Sequence, residues 1–135
     1  MKKRIIVRLI CICIVIGVIF FLNLDMNPLK DIKSTDVKEV MIANPGSYYT
    51  VSDQEDIDMI MKELYNMKLY RRIGGNTDGF SYLIDIKLLS GETISLSISK
   101  NVKISRKTYK PDRNYTDTIE ELYNKLSKKY KSYPA

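Results

Sequence analysis

The sequence predicts an α+β domain: an antiparallel sheet of about five to six strands, two helices packed on one face, and one N-terminal transmembrane helix in front. Three features predict it. An apolar run follows the charged start Lys2, Lys3 and Arg4. Ile94, Leu96 and Ile98 alternate with Thr93, Ser95, Ser97 and Ser99, the period of a strand with one packed and one wet face. Two stretches of helical period lie before and after such strands and supply a layer to cover the sheet.

The apolar run occupies positions 5–24, broken by Arg8 and Asn23. At 1.5 Å per residue its uninterrupted part, residues 9–22, spans about 21 Å, short of a hydrocarbon core of about 30 Å. Adding residues 5–7 and Leu24, with Arg8 reaching up to the headgroups, completes a span. No A-x-A-like pair of small residues follows the run, so a signal peptidase has no preferred site. A lipoprotein box needs a small residue before its cysteine, whereas Cys11 follows Ile10 and Cys13 follows Ile12. Residues 1–24 are therefore expected to remain as an uncleaved anchor in the cell membrane. Because the basic residues precede the span, the N-terminus is expected in the cytoplasm and the rest outside. Residues 25–35, with Asn27-Pro28, read as a linker or short stalk, and residues 36–135 as the extracytoplasmic domain.

Within that domain, residues 37–43 are apolar and β-branched enough for a strand, and Asn44-Pro45-Gly46 turns the chain into a second at 48–51. Ser52 and Glu55 have the spacing of a capping box, in which each side chain bonds the other's free backbone N–H. Ile57, Ile60, Met61, Leu64 and Met67 follow at helical spacing, so a helix is predicted over 53–67. A short strand is expected at 69–73 and a loop at 74–79. Residues 80–89 and 92–99 read as a hairpin across Ser90-Gly91, with Phe80, Tyr82, Ile84, Ile86 and Leu88 on the apolar face of its first strand. A further strand is expected at 102–105. The last helix is predicted over 115–131, with Ile119, Leu122, Tyr123, Leu126 and Tyr130 on one stripe.

Composition narrows the chemistry. The chain has no His, which removes the usual general base and the commonest zinc ligand together. Its two cysteines lie in the apolar run, so the domain has neither a disulfide framework nor a thiolate metal site. Ser97-Ile98-Ser99-Lys100 matches S-x-x-K, but acyl-enzyme chemistry needs both residues on one helical turn, and this stretch ends a strand. Asp53, Glu55, Asp56 and Asp58 gather where a helix begins; there carboxylates offset the positive end of the dipole, and the spacing is not that of a calcium loop. No catalytic residue, cofactor or metal is expected.

The net charge of +6 is unevenly spread. Residues 36–99 hold 6 basic and 10 acidic groups, and residues 100–135 hold 10 basic and 4 acidic. Arg106, Lys107, Lys110, Arg113, Lys125, Lys128, Lys129 and Lys131 are therefore the candidate contacts to an anionic surface. Wall polymer, lipid headgroups or another envelope protein are the expected partners, and nucleic acid is not.

The order of Val51-Ser52-Asp53 with Ile57, then Gly79-Phe80-Ser81-Tyr82 through Ser90-Gly91, then Val102 to Tyr109, resembles a family of small exported domains of Gram-positive bacteria. These are lipoproteins or single-span proteins of uncharacterised function. The resemblance covers residues 36–131 and implies a sheet-and-helix arrangement like that of the TATA-binding protein, with no catalytic residues to carry over. The expectation is a non-catalytic binding or interaction module at the cell envelope, the alternative being a carboxylate-dependent envelope enzyme.

Overall fold

The computed structural model describes residues 1–22, 24–72 and 79–135. Helix α1, Lys2–Leu22, has 21 residues, none of them buried. At 1.5 Å per residue it is about 31 Å long, close to the thickness of a hydrocarbon core. It is long and apolar enough to cross a membrane.

The segment after α1 does not stand clear of the domain as a stalk would. It forms two short 3-10 turns, Pro28–Asp31 and Ser34–Asp36. Asn27 caps the first: its Oδ1 accepts from Leu29 N at 3.0 Å. Its Nδ2 donates to Leu64 O and Met67 O, both at 2.9 Å. Leu29 is fully buried, and Tyr65 OH donates to Ile32 O. The polar look of this segment conceals one core residue and one buried amide that satisfies two carbonyls.

Among the described residues eight strands form one antiparallel sheet, against the five to six expected. They are β1 (Val37–Ala43), β2 (Ser47–Val51), β3 (Leu69–Arg71), β4 (Tyr82–Leu88), β5 (Thr93–Ile98), β6 (Val102–Ile104), β7 (Lys107–Pro111) and β8 (Tyr133–Pro134). Their order across the sheet is β3-β7-β6-β5-β4-β1-β2-β8. The additional strands are β7 and β8. In β7 only Tyr109 and Pro111 face the core, and in β8 neither residue is buried, so neither carries an apolar signature.

Register follows from the alternation. Ile42 lies opposite Tyr49 and Ile84, and Ile84 opposite Leu96, so the apolar residues of neighbouring strands fall on one face. The other face carries Glu39, Asp85, Lys87, Thr93, Ser95 and Lys103, with Lys87 and Glu39 paired at 3.7 Å. The β1–β2 turn is held by Asn44, whose Oδ1 accepts from Gly46 N and Ser47 N, each at 2.8 Å. Gly91 turns β4 into β5 at φ 93°, where a side chain would be strained.

Helices α2 (Gln54–Tyr65) and α3 (Thr116–Ser127) cover the apolar face. Ile57, Ile60, Met61 and Leu64 of α2 and Ile119, Leu122, Tyr123 and Leu126 of α3 are buried there. Each such side chain contributes about 1.5–3 kcal/mol by leaving water. The cap of α2 is Asp53, whose side chain accepts from Glu55 N at 3.0 Å. Ser52 is exposed, so the box expected of Ser52 and Glu55 is replaced by this shorter cap. Both helices end before the predicted positions, α2 at the cap Asn66 and α3 at the cap Lys128.

Candidate functional site: basic groups and the end of α1

The structure distributes the basic C-terminal third rather than gathering it. Arg106 and Lys107 are exposed at the β6–β7 turn, beside Ser105 at φ 55°. Lys110 is exposed on β7, and the Arg113 guanidinium lies 4.8 Å from the Tyr115 ring centroid. Lys125 and Lys128 are exposed at the end of α3, and Lys131 sits 5.4 Å from the Tyr133 ring. Six strand spacings separate β7 from β8 in the sheet order. At about 4.8 Å each, roughly 25–30 Å lies between Lys110 and the Lys131 neighbourhood. Each of these cations is exposed, and the two ends of the group stand far apart across the sheet.

Lys129 is half exposed but paired with carboxylates at the start of α2. Its Nζ lies 2.7 Å from Asp56 Oδ2 and 3.4 Å from Asp53 Oδ2, and Tyr130 OH donates to the same Asp56 oxygen at 2.6 Å. Two of the four helix-start carboxylates are thereby neutralised by the segment after α3. The hydrogen bond from Lys129, then that from Tyr130, holds the Asp56 carboxyl below its usual value. The same pairing raises Lys129 above its own. Asp58, a third, accepts from Gln54 Nε2 at 2.8 Å.

Next to this pairing lies a tyrosine cluster. Tyr49 and Tyr123 have ring centroids 5.0 Å apart, Tyr82 and Tyr123 5.6 Å, and Tyr49 and Tyr130 stack at 6.1 Å. Tyr49 OH donates to Tyr123 O at 2.7 Å, and the Ser47 and Tyr123 hydroxyls are hydrogen-bonded. Burial pushes the Tyr49 phenol well above its ordinary value, so it stays neutral. These hydroxyls tie β2 to α3 and are part of the core.

At the opposite edge an open cavity of about 780 Å³ lies between the end of α1 and the β3–β7 pair. Leu22, Tyr70, Arg71, Arg72, Lys110 and Asp112 are among its walls. Tyr70 and Lys110 are cross-strand partners, and the Arg71 guanidinium lies 5.0 Å from the Phe21 ring centroid. Asp112 accepts from Tyr115 OH. Arg72 Nη1 is buried and has no hydrogen-bond partner among the described residues. Sequence reasoning missed Arg71 and Arg72, which fall in the stretch that is net acidic. Their only signal is a tandem pair at the end of a short strand.

Among the described residues no group of three or more acidic, His or Cys side chains is placed to hold a metal ion. Ser97 lies in β5 and Lys100 in the turn after it, so S-x-x-K does not fall on a helix. The expected 74–78 part of the Gly-rich loop, and Ile73, lie outside the described residues. Comparisons with family models, with curated proteins and with solved structures find no match.

Proposed function

We propose that this chain is a membrane-anchored extracytoplasmic domain that serves as a non-catalytic binding module at the cell envelope. The observation that carries the reading is α1: a span-length apolar helix with no buried residue, joined to a domain whose core contains none of its side chains. A span-length helix left out of the core suits a membrane anchor. Lys2, Lys3, Arg4 and Arg8 at its start favour a cytoplasmic N-terminus and an external domain.

For such a domain, the abundant anions nearby are lipid headgroups and phosphate-rich wall polymer. Exposed Lys125, Lys128 and Lys131 on one side and Arg106, Lys107 and Arg113 on the other suit a weak electrostatic association, each contributing up to about 1 kcal/mol near an anionic membrane. The association should fade within a Debye length of about 8 Å at physiological salt.

Residues 25–135 keep every contact of the core described above, so this fragment is the test material. It is expected to co-sediment with phosphatidylglycerol vesicles and purified wall at low salt in preference to phosphatidylcholine vesicles. Changing Lys125, Lys128 and Lys131 to Gln should weaken that preference. Equal partition into all three materials contradicts the anionic-surface reading.

A further inference from the structure

We infer that the cavity between the end of α1 and the β3–β7 edge binds the phosphate of an anionic phospholipid headgroup. The inference rests on the reading of α1 as a membrane anchor, and it adds a defined site to that reading. Four observations converge on it.

The first is position. Leu22, the last residue of α1, forms part of the wall, and Arg71 lies against Phe21 one residue earlier. If α1 spans the bilayer, its end lies where hydrocarbon gives way to headgroups, and the cavity opens at that depth. An arginine over an aromatic ring there resembles a cation held at the interface by its apolar surroundings.

The second is charge. Arg71, Arg72 and Lys110 border the cavity, and none of them takes part in an ion pair among the described residues. The acid in the wall, Asp112, is engaged by the Tyr115 hydroxyl. Three cations and one carboxylate thus border one space, which leaves a net charge of +2 among the described residues.

The third is an unmet hydrogen bond. Arg72 Nη1 is removed from solvent and donates to nothing among the described residues. A buried donor on a charged group is costly unless something accepts from it. Guanidinium groups offer forked donors that match phosphate oxygens in pairs, and lysine adds a point charge. The fourth is size: about 780 Å³ is room for a headgroup rather than for a bare ion.

Inorganic phosphate would satisfy the same donors. The apolar wall from α1 favours the lipid source, whose glycerol backbone and acyl chains can continue along Leu22 and Phe21.

The test uses the full-length chain in nanodiscs of phosphatidylcholine, with or without phosphatidylglycerol, and in phosphatidylcholine discs with added inorganic phosphate. Native mass spectrometry counts retained lipid, and thermal melting reports stabilisation. The wild type is expected to retain phosphatidylglycerol and to melt higher in its presence. Arg72→Gln and Lys110→Gln should each weaken retention by about fivefold, the factor for one basic group at a membrane surface. In phosphate-free maltoside detergent Arg72→Gln should melt no lower than the wild type, because no partner among the described residues is lost. A lower melt there would mark Arg72 as merely structural and overturn the site. So would retention without headgroup preference in a chain that enters the discs normally, which leaves the anchor reading intact. Stabilisation by inorganic phosphate but not by phosphatidylglycerol would overturn the lipid assignment. A wild-type chain that fails to enter discs overturns the anchor and the site together.

Discussion

Asp56 in the first turn of α2 is bonded to Lys129 just beyond α3, with Nζ and Oδ2 2.7 Å apart. Asp56 is almost entirely buried while Lys129 is half exposed, so the contact closes the edge of the two-helix layer. A carboxyl whose folded pKa lies below its unfolded value, 3.8 here, stabilises the fold above that value. That contribution is lost as pH falls through the folded pKa. Asp56→Asn is therefore expected to melt below the wild type at neutral pH and to converge with it in acid, read from melts across pH. Tyr130→Phe should remove the second bond to the same oxygen and cost about 1 kcal/mol. A constant gap at all pH values would contradict the assignment.

Asn27 predicts that the linker is part of the domain. Its amide donates to Leu64 O and Met67 O at the end of α2, tying the segment before the sheet to that helix. Asn27→Ala should lower stability by about 1–3 kcal/mol, measured by denaturant unfolding of residues 25–135. A fragment starting at residue 36 also loses fully buried Leu29 and should be less stable still.

The start of α2 separates two caps. Asp53→Ala should cost about 0.5–2 kcal/mol, because Glu55 N loses its acceptor. Ser52→Ala should fall within about 0.5 kcal/mol of the wild type, since Ser52 is exposed. The reverse order in urea melts would restore the Ser52–Glu55 capping box.

Strand phase is tested in β4. Ile84 is fully buried between Ile42 and Leu96, and Asp85 lies on the open face between Met41 and Ser95. Ile84→Asp should abolish the cooperative melt by burying an unpaired charge, whereas Asp85→Ile should leave the protein folded. If Asp85→Ile is the damaging change, the register is off by one residue.

What the sequence made legible is what alternation and helical period encode. The predicted ends of β1 match the structure, and the apolar stripe of α2 is buried throughout. In β4, β5 and α3 the middle of each stripe is buried, Leu88, Ile94 and Tyr130 are partly buried, and Phe80 is exposed ahead of β4. Strands β7 and β8 were not legible because edge and near-edge strands bury little: Tyr109 and Pro111 in one, nothing in the other. The cavity cations were hidden for a different reason. Arg71 and Lys110 are far apart in the chain and become neighbours only when β3 pairs with β7, which local patterning does not report. Lys129 misled in the opposite sense, since its basic surroundings concealed two carboxylate partners on another helix.

The central claim is that α1 is retained and displays the domain outside the membrane. Its most direct measurement is protease treatment of intact cells, with mass spectrometry of the N-terminus of the untreated protein. The account predicts a mature chain that still contains residues 2–22, and loss of the C-terminal domain to external protease while the cells remain sealed. A mature chain beginning near Asp25, or a domain degraded only after the cells are broken, would contradict it.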